Sequence, residues 1–104
     1  MTKIHLKQLA KKYKSALFKN HIPVSAIYLF GSYARGNPRE GSDIDFCVIS
    51  NIFGKDDFKD MVLINQIAKR VSPMIEAFPI PEEEFKKKSN PFLKEALKTG
   101  EKVG

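Results

Sequence analysis

Two aspartates separated by a single residue, Asp43 and Asp45, open the apolar run that ends at Ser50, and this constrains the fold more than any other feature. Side chains alternate between the faces of a strand, so Asp43 and Asp45 share one side while Ile44 and Phe46 take the other. Carboxylates that close repel, and one is driven to keep a proton unless a cation lies between them. With ten residues intervening before Asp43, Gly31 and Ser32 close another apolar run, SAIYLF. If the glycine-serine turn and the aspartates serve one site, the two strands lie side by side and antiparallel. The turn leaves the carboxyl end of the first, and the carboxylates begin the second.

The remaining elements follow from periodicity. Leu6, Leu9, Ala10, Tyr13 and Leu17 recur at steps of three and four, which predicts an amphipathic helix from Lys3 to Asn20. Strands are expected over Ser25–Phe30 and Asp43–Ser50. A second long helix is expected over Asp56–Val71, with Phe58, Met61, Val62, Ile64, Ile67, Ala68 and Val71 on a broad apolar stripe. Asp56 and Asp57 sit in its first turn, where carboxylates suit the helix dipole. MIEAFPI reads as a third strand ended by Pro79 and Pro81, and a last helix follows Pro91 with Phe92, Leu93, Ala96 and Leu97 on one face. A helix between strands two and three is the size of a crossover, which makes those strands parallel. The expected class is α+β, in the order αβαβαβα, with a small mixed sheet and helices mainly on one face.

At 104 residues the chain is expected to form one domain, residues 1–104. With 42% hydrophobic and 29% charged residues, a disordered or fibrous chain is excluded. No apolar run reaches the roughly 20 residues that cross a bilayer, and the lysine-rich start reads as a helix rather than a leader, so the expected address is the cytoplasm. The net charge of +6 points to an anionic partner, although KQLAKKYK and FKKKSN read first as solvated faces. Cys47 reads as a small buried hydrophobe.

The chemistry concentrates between Gly31 and Asp45. Gly31 lets the backbone turn sharply and approach a bulky anion. Ser32 offers a hydroxyl and an N–H at the start of SYAR, read as a short helix whose amino end attracts phosphate. Arg35 either adds a cationic fork or holds its own loop by pairing with a carboxylate. Hard oxygen donors without a nearby cysteine or histidine cluster favour Mg²⁺ or Mn²⁺ over zinc. Glu76, the one charged residue of SPMIEAFPI, is expected as a third ligand or general base, the alternative being a solvated position on an edge strand. Phosphate donors beside paired carboxylates suit a metal-bound nucleotide undergoing in-line displacement.

From Gly31 to Val48 the chain fits GSxARGxxxxxSDIDxxV at every fixed position. In this it resembles the minimal nucleotidyltransferases of the DNA polymerase beta superfamily. The resemblance implies the nucleotidyltransferase fold, with Gly31 and Ser32, joined by Arg35, on the nucleotide phosphates. It also implies that Asp43 and Asp45 hold two Mg²⁺ ions, with Mn²⁺ as an alternative, and that Glu76 takes the place of the third acid, where aspartate is more familiar. Members of this group are similar to antitoxins paired with a HEPN-domain ribonuclease toxin, and some transfer AMP from ATP to a tyrosine of that toxin. The implied function is therefore transfer of AMP to a hydroxyl of a partner protein, as the antitoxin of such a pair, in a homo- or hetero-oligomer. Too few residues follow Glu76 for the helical substrate domain of larger relatives.

Other residues read as structural. His5 and His21 fall in no ligand or triad spacing, and Tyr33 is expected to pack on the domain. Phe58, Met61 and Phe92 are expected in the core, or on a partner surface should the stripe prove too wide to cover. A Gly-x-Ser-x-Gly elbow and a Walker loop are both absent. The rival from another class is a catalytically weak binding module that neutralises a partner by steric masking. Nucleic acid is not expected as the main partner, and no membrane is.

Overall fold

The computed structural model describes residues 2–87 and 90–104. Helix α1, Lys3–Lys19, begins at Thr2, whose hydroxyl accepts the His5 N–H at 3.2 Å. It buries Leu6, Ala10, Tyr13 and Leu17, the positions its periodicity selects. Beyond Asn20 the chain turns through His21 at φ 63°, with the His21 N–H on Phe18 C=O and the Ile22 N–H on Leu17 C=O, both 3.0 Å. These are the paired bonds of a Schellman stop, and buried Ile22 and Leu17 seal it. His21 thus has a structural task. Helix α2, Asp57–Val71, is capped by Asp56, which accepts the Lys59 N–H at 3.1 Å, and it ends on Lys69 and Arg70. The Tyr13 hydroxyl donates to Ile64 C=O at 2.7 Å inside the core and joins the two helices.

The strands are β1 (Ala26–Phe30), β2 (Ile44–Ser50), β3 (Ile75–Pro81) and a two-residue β4 (Glu101–Lys102). They lie in the order β3-β2-β1-β4, with β1 antiparallel to β2 and to β4, and β2 parallel to β3. The mixed sheet and both expected pairings are present. Ile27, Leu29, Ile44, Phe46, Val48, Ile75 and Ala77 pack with α1 and α2 on one face.

Helices do not gather on that face alone. Helices α3 (Glu82–Lys87) and α4 (Pro91–Thr99) contribute Phe85, Leu93 and Leu97 to a second cluster with Ala26, Cys47, Ile49 and Ile80. From Phe46 to Ser50 every residue of β2 is buried, so its two apolar faces both need cover. The broad stripe on α2 was too wide: Phe58, Met61 and Val62 are 76%, 41% and 41% exposed, so they face solvent rather than core. The Phe92 side chain lies outside the described residues.

Both prolines belong to β3 instead of ending it. Asn65 of α2 donates to Ala77 C=O at 2.8 Å and accepts the Ala77 N–H at 2.9 Å, while Lys69 Nζ donates to Ile75 C=O at 2.6 Å. The backbone groups of Ile75 and Ala77 therefore face away from β2. Pro79 and Pro81 have the same parity, so their missing N–H groups take nothing from the ladder. The two α2 side chains also close the outer edge of the sheet.

Candidate active site

The registers of β1, β2 and β3 assemble the site. Asp45 stands opposite Phe30 on β1 and Glu76 on β3, and the Ile44 N–H bonds Met74 C=O at 2.8 Å, which draws the starts of β2 and β3 together. Asp45 and Glu76 project from the face of α3 and α4, opposite Ile44 and Ile75. Asp43 lies one residue before β2, within hydrogen-bonding reach of Glu76. The three expected acids are neighbours.

Their electrostatics follow from that crowding. Burial, then the charges of Glu76 and Asp43, push Asp45 up to about 6, with Arg35 opposing. Although Glu76 reaches solvent, partial burial raises it too, helped by the hydrogen bond and charge of Asp43 and opposed by Lys69. Among the described residues no three acidic, histidine or cysteine side chains surround one point as they stand. The donor set itself, three neighbouring carboxylates of which Asp45 and Glu76 are held back from ionising, is chemically suited to a hard divalent cation.

Gly31 touches this group directly. It has φ +75°, and a Cβ there would collide with Asp45 Oδ2 and stand 3.2 Å from its Cγ. The close approach is to a carboxylate of the site. The segment after it makes a single turn, not the short helix expected of SYAR. Arg35 N–H bonds Gly31 C=O and Asn37 N–H bonds Ser32 C=O, both at 3.1 Å, before Gly36 and Pro38 break the pattern. Among the described residues the N–H groups of Ser32 and Tyr33 meet no backbone acceptor, so the turn still presents donors. Arg35 lies close enough to Asp45 to lower its pKa, and Tyr33 packs on the core.

Two clefts flank the acids. One of about 420 Å³ is lined by Phe30, Gly31 and Arg35 against Glu95, Ala96, Lys98 and Thr99 of α4. The other, of about 500 Å³, is lined by Asp43 and Glu76 together with Met61, Val62, Lys69 and Phe78. Sequence reasoning missed Lys69, Asn65 and the α4 residues, because no motif carries them and only long-range pairing places them here. Cys47, two residues beyond Asp45, is fully buried, and burial with the Asp45 charge pushes its thiol up to about 12.

Residues 6–100 match the family model described as nucleotidyltransferase domain. Over 43 residues the chain is 46% identical to "Putative protein adenylyltransferase MJ1215" and 49% identical to "Putative protein adenylyltransferase MJ1379", both of Methanocaldococcus jannaschii. Each match takes in 41% of this chain and less than half of the relative, 49% and 42%. Among solved structures, a "putative nucleotidyltransferase from Sulfolobus solfataricus" superposes with TM-score 0.60 at 23% identity, over 82% of this chain and 75% of that one. "The toxin-antitoxin with AMP-PNP" superposes with TM-score 0.62 at 22% identity, over 94% of this chain and 72% of that one. At these identities the structures speak for the fold.

Proposed function

Because this chain belongs to the nucleotidyltransferase domain family, we propose that it transfers AMP from ATP to a hydroxyl of a partner protein, as the antitoxin of a toxin pair of the HEPN class. The observation that carries the reading is the registered pair Asp45 and Glu76, with Asp43 beside them and Gly31 against Asp45. The adenylyltransferase relatives and the AMP-PNP-bound toxin-antitoxin neighbour support it.

In this reading the Ser32 turn and Arg35 hold the triphosphate. Asp43, Asp45 and Glu76 would bind Mg²⁺, or Mn²⁺, which supplies charge neutralisation for the nucleotide and the leaving pyrophosphate. In-line displacement brings the acceptor from the side opposite the leaving group, which is the cleft of Glu76, Met61 and Val62. The acceptor oxygen forms a bond to the α-phosphorus, the bond to the β-phosphate oxygen breaks, and the hydroxyl proton passes to Glu76.

Incubation with α-labelled ATP, Mg²⁺ and a co-encoded partner tests it. Label on the partner that vanishes with Asp43→Ala plus Asp45→Ala supports transfer. The exposed Phe58, Met61 and Val62 favour a second reading, steric masking without chemistry. Neutralisation that survives both substitutions without labelling selects masking.

A further inference from the structure

The cleft between the Gly31 turn and α4 shares no lining residue with the acceptor cleft, and the fold fixes α4 in place there. Gly100 ends the helix where a Cβ would meet Ala96 C=O at 2.9 Å and Leu29 C=O at 3.3 Å, so the backbone of α4 can close on β1 only at a glycine. Beyond it, Glu101 and Lys102 pair with Leu29 and Tyr28, and the Val103 N–H bonds Ile27 C=O at 2.9 Å. The last turn of α4 is thereby fixed beside Phe30.

We propose that this cleft is the nucleoside subsite, with the base lying on Phe30 and Ala96, and Thr99 and Glu95 in reach of base or ribose polar groups. The proposal rests on the transferase reading for the nucleotide's identity and goes beyond it in assigning α4. Three observations decide between nucleoside and phosphate as occupant. The floor is apolar, formed by Phe30 and Ala96. Glu95 lines the wall and pairs with Lys98 at 3.2 Å, which offsets the lysine that α4 brings to the cleft and leaves Arg35, at the Gly31 turn, as its other cation. The wall is also the carboxyl end of a helix, whose partial negative charge disfavours phosphate. Phosphates belong across Gly31, at the donors of the Ser32 turn and Arg35. A cleft of about 420 Å³ is in the range of small-molecule sites.

The test compares ATP with inorganic tripolyphosphate, each with Mg²⁺, on the intact chain and on Ala96→Leu and Ala96→Trp, half-exposed positions on a helix surface. Calorimetry is expected to show ATP affinity falling at least tenfold with tryptophan and less with leucine, while tripolyphosphate affinity stays within twofold. Retained tripolyphosphate binding also reports that each variant is folded. Equal losses for both ligands in a variant with native thermal unfolding would place phosphate in the cleft and overturn the proposal, as would unchanged ATP affinity in both variants. If the intact chain binds ATP in this pattern yet labels no acceptor, the transferase reading fails and the nucleoside subsite stands.

Discussion

Gly31 answers to two constraints at once, a left-handed backbone and contact with Asp45. Gly31→Ala is expected to cost about 1–3 kcal/mol in urea unfolding and to abolish transfer, since the new methyl group displaces the carboxylate. Asp45 makes the converse case. Its pKa rises from an ordinary 3.8 to about 6, so the folded chain holds more protons than the unfolded one across that window. The contribution of Asp45 to stability is therefore full below about pH 4 and is lost as pH rises through 6, by on the order of 1 kcal/mol for a partly solvated carboxylate. Asp45→Asn should erase that slope, match or exceed the parent's unfolding midpoint at pH 7 without divalent metal, and be inactive. Mg²⁺ is expected to raise the parent's melting temperature and not that of Asp43→Asn plus Asp45→Asn, as a ligand of the folded state alone does. The neighbourhood of these residues was legible in sequence because strand alternation fixes the face. The Gly31–Asp45 contact was not, since it depends on the β1–β2 register.

At the level of elements, α1 was legible because its buried positions keep one strict period. Helix α2 misled because periodicity finds an apolar stripe without finding how much of it a neighbour covers. The short α3 and β4 carry no period at all, and proline marks a strand's end only where the ladder needs its N–H. The α2–β3 seam rests on Asn65. Asn65→Ala removes both bonds to Ala77 and is expected to cost about 1–3 kcal/mol by denaturant titration, with concentration-dependent association as the β3 edge opens. Tyr13→Phe should cost about 1 kcal/mol by the same measure, through the lost bond to Ile64.

Across the whole molecule, a central strand lies between two helical layers, with the acids at the head of β2 and a cleft to either side. The first half of this plan was legible in the motif. The contribution of α4 was not, because a chain reading cannot see that Gly100 brings it back to β1. Phe58→Asp plus Val62→Asp should leave thermal unfolding within about 0.5 kcal/mol of the parent, as exposed substitutions do, yet weaken capture of the co-encoded partner. Cys47 gives the fold an intrinsic reporter. Its thiol is the chain's sole one, sealed beneath the second helical layer and held protonated, so it is silent to alkylating reagents until β2 is uncovered. A brief pulse of iodoacetamide on the purified chain, read as the added mass of one carboxamidomethyl group, would then give the fraction of molecules that have opened.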